Sequence, residues 1–434
     1  MSDTIQKKSF AARLLDKRTP RALSLPAALI LFILMLFNIR TFVLDTSSAA
    51  VTVASSIYSV WIAAIFALML YTGRTAFYRR IFFIATALLF FPAFMHDLIL
   101  ERGFVALSES NIVNNETPFC HIVIPITLIP AALSRTVIFP ARLSGHYASI
   151  YGILVLWLIA SITLGRGWCS WVCFYGGWDE GFSKIKKRRI INTDNLPPAV
   201  RYFGFSMLMF VVLAGLVTLG SVYCEWLCPF KLVTEFSAIT SIRTYIATII
   251  FIIVFFGLVV TLPILTKKRT QCAMFCPFGA FQSFTNKFNV YKIAIDHSKC
   301  TKCMACVRAC PTLSLIKDDI ASENPGAGIT CTKCMECIGV CPNGAITLEY
   351  SAKAPEGLFK WFRGTLASLA GRNNPVSRFT AKTISVFKDL LKPEALFPFT
   401  AFTFGMIISS KFAIHSISLV LSQIPIIAGI PGGM

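Results

Sequence analysis

Eight of the fifteen cysteines in this chain fall into one pattern that is written twice. Residues 300–311 read Cys-Thr-Lys-Cys-Met-Ala-Cys-Val-Arg-Ala-Cys-Pro, and 331–342 read Cys-Thr-Lys-Cys-Met-Glu-Cys-Ile-Gly-Val-Cys-Pro. A cubane iron–sulfur cluster takes one thiolate per iron. Three cysteines in a tight loop hold three corners, and the fourth, followed by proline, reaches a neighbouring cluster. The spacing therefore predicts one [4Fe-4S] cluster on Cys300, Cys303, Cys306 and Cys341, and a second on Cys331, Cys334, Cys337 and Cys310. Zinc is the alternative for such thiols. It takes four ligands, usually as two separated pairs, and has no use for the third cysteine of each triplet or for the proline.

The two runs form an internal repeat of about 30 residues. Over 296–347 the chain resembles the bacterial two-cluster ferredoxins, with all eight cysteines and both prolines in place. That resemblance implies a small pseudo-twofold α+β fold and low-potential electron transfer. Ser-Glu-Asn-Pro-Gly-Ala-Gly at 322–328 lengthens the connection and reads as a surface loop. Six more cysteines form three Cys-x₃-Cys pairs, Cys169/Cys173, Cys224/Cys228 and Cys272/Cys276, and Cys120 stands alone in Thr-Pro-Phe-Cys120-His121. Residues i and i+4 share a helix face, so each pair offers two thiolates to one metal cluster.

The elements that hold these pairs are apolar. The 434 residues are 55% hydrophobic and only 14% charged, too apolar for an ordinary soluble domain. A bilayer core of about 30 Å needs roughly 20 apolar residues per helical span. Stretches near 22–39, 51–71, 81–100, 147–165, 202–222 and 244–265 qualify, and a seventh region, 395–430, is interrupted by Lys411 and His415. The stretch 121–140 carries Arg135 and three prolines and reads as interfacial or re-entrant. The basic N-terminus runs into the first span without a small-residue cleavage site, so no cleaved signal is expected. The expected fold is a polytopic α-helical membrane protein of about six to eight spans with an inserted two-cluster ferredoxin-like α+β domain. Its parts are 1–145 (three spans and an outer loop with Cys120), 146–295 (the membrane redox core), 296–350 (the ferredoxin domain) and 351–434 (an amphipathic helix and a C-terminal membrane segment).

Lysine and arginine set the orientation. With the N-terminus inside, the segments 1–21, 72–80, 166–201 and 266–292 hold 21 positive charges, against six in the outside segments. This places the N-terminus and the ferredoxin domain on the cytoplasmic side of a prokaryotic inner membrane. It also explains most of the net charge of +20 through contact with anionic lipid, with no nucleic-acid partner. Thiols on that side stay reduced, which excludes disulfides in the ferredoxin domain. Cys169/Cys173 and Cys272/Cys276 follow the fourth and sixth spans, so they meet at the inner face as four thiolates for one further cluster. Cys224/Cys228 follow the fifth span and belong to the outer face, with Cys120.

From about 147 to 347 the chain is similar to the membrane iron–sulfur quinol dehydrogenase that feeds periplasmic nitrate reductase (the NapH type). Related proteins are the nitrous-oxide reductase accessory flavoprotein (NosR type) and an oxidase-assembly protein (CcoG type). The order matches: a span, Cys-x₃-Cys and a basic loop, two spans, Cys-x₃-Cys-Pro-x-Gly-Ala, then the double ferredoxin motif. The resemblance implies inner-membrane electron transfer, with ligands at Cys169, Cys173, Cys272, Cys276 and the eight ferredoxin cysteines. Phe174 departs from it by replacing a proline. So do the first spans and the region beyond about 350, and so do Cys224 and Cys228, where the family segment lacks cysteines. These two and Cys120 suggest an outer-face cluster whose fourth ligand is His121 or another group, or one shared across a homodimer axis. A disulfide through Cys120, or free thiols, is the alternative.

Other residues weigh less. His96, His121, His146 and His415 are candidate haem ligands, but no pairing on facing helices can be read from the sequence. Asp97, Glu101 and Arg102 cap the third span, where they either guide quinol protons or are simply solvated. Residues 376–391 fit an interfacial amphipathic helix ending before Pro393. No phosphate-binding loop, dinucleotide fingerprint or covalent-flavin signature is present. The reading is an electron carrier linking cytoplasmic ferredoxin clusters to membrane quinone or an extracytoplasmic redox partner. Its rivals are a quinol dehydrogenase, an assembly factor that reduces a metal or cofactor, and a subunit of a larger ion-pumping complex.

Overall fold

The computed structural model describes residues 23–106, 120–135, 150–194, 196–234, 238–322, 326–351 and 385–423. His146, Arg142, the basic stretch 1–21 and residues 376–384 of the expected amphipathic helix lie outside them, as do the side chains of Glu101 and Arg102. Residues 385–390 are helical.

Among the described residues seven helices are long and apolar enough to cross a membrane: Leu25–Phe42, Ala49–Thr72, Thr75–Leu100, Leu154–Trp171, Pro198–Thr218, Ile242–Thr266 and Pro393–Leu421. Their outward faces are bare hydrocarbon, with Val217 85% and Val60 71% exposed, as lipid-facing side chains require. His121–Ser134 is a shorter apolar helix, with Ile124, Pro125, Ile126 and Pro130 buried. At 14 residues it is too short to span, and its role is to carry Cys120 and His121 into the bundle.

Prolines bend the spans at defined places. Pro263 has no N–H to return to Val259, and the sixth span widens to a π-helix over Phe255–Thr261 just before it. Pro92 opens the third span, and the seventh repairs the opening. Ser416 Oγ accepts from the Ala93 N–H at 3.0 Å and donates to the Leu89 carbonyl. Glycines let backbones touch where the functional turns pack. A Cβ on Gly405 of the seventh span would lie 2.5 Å from the Trp171 carbonyl oxygen, and one on Gly177 would lie 2.6 Å from that of Phe83.

The ferredoxin-like unit is closed by two antiparallel strands, β1 (Tyr291–Ile295) and β2 (Ile346–Tyr350), in the register Tyr291↔Tyr350 through Ile295↔Ile346. β1 begins upstream of residue 296, so the strand pair brackets both cysteine runs. The repeat is visible in the backbone. Lys302 and Met304 in the first loop, and Lys333 and Met335 in the second, all have φ between 47° and 65°. Such left-handed residues are costly, and they recur where a loop must wrap a bound group. Each loop ends in a five-residue helix, Ala305–Ala309 or Glu336–Val340.

This unit is bonded to the bundle through buried donors. Lys268 Nζ donates to the carbonyls of Val307, Arg308 and Cys310 at 3.1, 3.0 and 2.7 Å. Arg166 Nη1 reaches the Thr330 carbonyl at 2.7 Å, and Trp171 Nε1 that of Lys333 at 3.1 Å. Phe397, at the start of the seventh span, packs edge-on against both Trp171 and Tyr291.

Candidate iron–sulfur centres

Two cavities lie in the ferredoxin-like unit. One is lined by Cys300, Cys303, Cys306 and Cys341. The other is lined by Cys310, Cys331, Cys334 and Cys337. Each fourth cysteine has crossed to the other loop's cavity, the exchange expected from the spacing. Cys303 is exposed, whereas Cys334 is buried, so the first cavity faces solvent and the second faces the bundle.

The membrane pairs reproduce the geometry of those fourth cysteines. Cys310 and Cys341 have φ/ψ of −63°/113° and −72°/114°. Cys173, Cys228 and Cys276 have −70°/114°, −73°/112° and −81°/114°. Each ends a helical turn in extended conformation and begins the next helix. Proline after the cysteine favours this conformation, and Cys173 reaches it with Phe174 in that place. The pairs do not lie on one helix face as the i,i+4 spacing suggests. The Cys173 and Cys276 N–H groups close wide turns onto the carbonyls of Trp168 and Gln271, at 3.1 and 3.0 Å.

Cys169, Cys173, Cys272 and Cys276 come together. Burial holds the Cys173 and Cys272 thiols well above the ordinary range, and nearby cysteines, Cys169 and Cys276 for the first and Cys173 and Cys276 for the second, add to the rise. Cys120, Cys224 and Cys228 form a second group, close enough to act on one another's ionisation. Burial pushes the thiols of Cys276 and Cys120 up to about 12. Thiolates in these places therefore need a cation to replace their protons. None of the fifteen cysteines, all of them among the described residues, forms a disulfide.

The two groups lie side by side, which corrects the placement of Cys224 and Cys228 at an opposite face. His121 Nε2 is 3.1 Å from Cys173 Sγ, and its neighbour Cys120 donates to Tyr175 Oη at 3.5 Å. Adjacent Cα atoms are about 3.8 Å apart, so a bilayer thickness cannot separate trio from quartet. After the fifth span the chain turns at Leu219 (φ 52°) and folds back, and Gln271 Nε2, beside Cys272, donates to Tyr223 Oη at 3.0 Å. The side chain of His121 points at the quartet and not toward a ligand position of the trio. Tyr175 packs against both His121 (5.6 Å between ring centres) and Phe230 (4.4 Å).

Sequence reasoning missed the charges around the thiols. The buried charged residues among those described are Arg79, Arg166, Lys268, Arg269 and Lys333, against Asp179, Glu180 and Glu336. That is five cations for three carboxylates, in surroundings where an unpaired charge is prohibitive. Arg269 donates to Cys272 Sγ at 3.2 Å, to Ser170 Oγ at 2.7 Å and to the Cys169 carbonyl at 2.6 Å. Its Nε, the Nε of Arg166 and Trp168 Nε1 are buried without a hydrogen-bond partner. Excess positive charge and orphaned donors around four thiols fit an anionic thiolate-ligated cluster. Burial works against a charged Glu180, but Arg79 and Arg269 outweigh it and hold its carboxyl down at about 2. Burial raises its neighbour Asp179 to about 7, where Oδ2 accepts from the Cys272 N–H at 2.9 Å. A signal was available, because Arg166 and Arg269 each stand three residues before the first cysteine of a pair, whereas Ser221 stands there before Cys224.

Seven apolar helices and a twice-repeated thiol cage define a polytopic membrane protein with a ferredoxin-like unit. Comparison with known proteins agrees. A model described as 4Fe-4S binding domain matches three times, over 147–192, 200–243 and 248–294, so each Cys-x₃-Cys pair falls in one copy of the same unit. Two further models of that description match 293–315 and 330–344. The ferredoxin-type protein NapH of Escherichia coli is 25% identical over 192 residues, 43% of this chain and 63% of that protein. The Escherichia coli protein YccM, named for electron transport, is 25% identical over 178 residues, 39% of this chain and 48% of its own. An uncharacterized protein of Methanocaldococcus jannaschii is 23% identical over 212 residues, 43% and 76% of the two chains. The chain thus spans less than two thirds of the length of the two Escherichia coli relatives. No solved structure matches it. Over residues 147–344 the chain carries 4Fe-4S binding domains and is similar to the NapH-like polyferredoxins, and it is an iron–sulfur electron-transfer protein.

Proposed function

We propose that the cysteines hold clusters at four places on one route, running from the exposed Cys303 end of the ferredoxin-like unit into the bundle. Bound there, iron–sulfur clusters exchange single electrons. The observation that carries this reading is a succession of contacts from the second ferredoxin-type loop through the membrane thiol groups. Glu336, two residues from Cys334, lies 3.6 Å from Arg79, which bonds the Ser170 carbonyl beside Cys169 at 2.8 Å. His121 and Tyr175 then join Cys173 to Cys120. The eight ferredoxin-type thiolates hold two clusters and the quartet a third. The trio holds a fourth, with one position not filled by a cysteine of this chain.

In this order the trio is the end from which electrons pass to or from membrane quinone or a redox partner. The ferredoxin-like unit lies on the cytoplasmic side of a prokaryotic inner membrane. Of the 21 charges that support this, Arg79, Arg166, Lys268 and Arg269 are buried beside cysteines and do not face lipid. Setting those four aside leaves seventeen against six.

Iron quantitation with low-temperature EPR on anaerobically purified protein tests the reading. Four cubanes give about sixteen irons per chain, and the double substitution Cys224→Ala/Cys228→Ala is expected to remove about four while the other signals persist. About eight irons in the unsubstituted protein would reduce the chain to a tethered ferredoxin.

A further inference from the structure

The seventh span brings a second kind of metal-ligating chemistry to the third. His415 Nε2 lies 3.0 Å from His96 Nδ1 and 3.3 Å from Asp97 Oδ1, and the three ligand atoms fall within 4.8 Å of one another. His96 and Asp97 sit about one turn from the end of the third span. Two imidazoles and a carboxylate among apolar helices are costly, and such residues mark functional sites. The side chains of Asp97 and His415 are only 13% and 32% exposed, whereas Lys411, one turn back on the same helix, is exposed.

From this geometry we infer that His96, Asp97 and His415 bind a divalent first-row transition-metal ion that joins the third and seventh spans. A neutral imidazole nitrogen carries either a proton or a lone pair. A single N–H on His415 Nε2 therefore cannot serve both His96 and Asp97 well, while one cation accepts lone pairs from all three. The 3.0 and 3.3 Å separations from His415 Nε2 also suit such an ion. Ligands bound at about 2.0–2.1 Å stand roughly 3.0–3.4 Å apart around an octahedral or tetrahedral centre. Axial ligation of haem by this histidine pair is excluded, because ligands on opposite sides of an iron stand about 4 Å apart. Two histidines and one carboxylate suit zinc or ferrous iron and leave a coordination position open.

The test uses the full chain in detergent. Protein is equilibrated with Zn²⁺, desalted, and its zinc and iron are measured by plasma mass spectrometry. Thiols of unloaded cluster sites also take zinc, so samples of equal iron content are compared. The unsubstituted protein should retain about one zinc per chain more than His96→Gln/His415→Gln. Zn²⁺ should raise its melting temperature, and that of the variant should not move. If the double variant does not fold, Asp97→Asn is used in its place and should bind Zn²⁺ at least tenfold more weakly. Equal zinc at equal iron, equal affinity in Asp97→Asn, or equal retention of Mg²⁺ would overturn the inference.

Discussion

Replacing Arg269 by glutamine removes a positive charge next to the quartet and leaves Glu180 with Arg79, whose guanidinium it pairs directly. Arg269 Nη2 stands 3.2 Å from Cys272 Sγ. With a metal–sulfur bond of about 2.3 Å, its charge is about 6.5 Å from the centre of a cluster held by that thiolate. At an effective dielectric of about 20, unit charges so placed interact by about 2.5 kcal/mol. For a one-electron couple that is about 110 mV. The substitution takes away a cation that favours the reduced, more negative state, so the quartet midpoint should fall by about 100 mV. Arg269→Lys keeps the charge and should give less than half of that shift. The assay is an EPR-monitored redox titration, with iron content as the control for assembly. An unmoved or raised midpoint at unchanged iron would show that Arg269 supports the turn mechanically and does not tune the site.

Three other changes probe the packing. Glu180→Gln leaves Arg79 and Arg269 buried without their shared carboxylate; the cost of breaking such a pair is about 3–5 kcal/mol, read as a lower melting temperature, and an unchanged melt would mean another anion compensates. Gly405→Ala drives a methyl into the Trp171 carbonyl and the Phe82 ring, so it should destabilise by about 1–3 kcal/mol and shift the indole fluorescence. Lys268→Met withdraws the donor shared by three carbonyls of the ferredoxin-like unit, each charged bond being worth about 1.5–3 kcal/mol. That unit should then become sensitive to limited proteolysis while the membrane core resists; equal resistance would show that Arg166 and Trp171 alone secure the docking.

The ferredoxin-like unit was legible because its ligands are local in sequence and their spacing is dictated by a cubane. The spans were legible because lipid demands unbroken apolar runs. Other features depend on contacts that sequence distance hides. Counting spans assigns every helix end to a face, but after Leu219 the chain folds back, which puts Cys224 and Cys228 beside Cys120 and not across the bilayer from Cys173. Charge asymmetry along the sequence points to lipid anchoring, although Arg79, Arg166, Lys268 and Arg269 are buried against cysteine-bearing turns. His96 and His415 are 319 residues apart, and only the packing of the third span on the seventh makes them neighbours. β1 was missed because five residues are too few for alternation to stand out.

The seventh span lies over the turn that carries Cys169 and Cys173. Phe397 and Gly405 abut Trp171, and Phe412 abuts Phe174. It is also the last of the seven to leave the ribosome. The wall over Trp171 and Phe174 is therefore complete only when that helix has docked, so the cysteine turn is a joint between an early-made and a late-made part of the bundle.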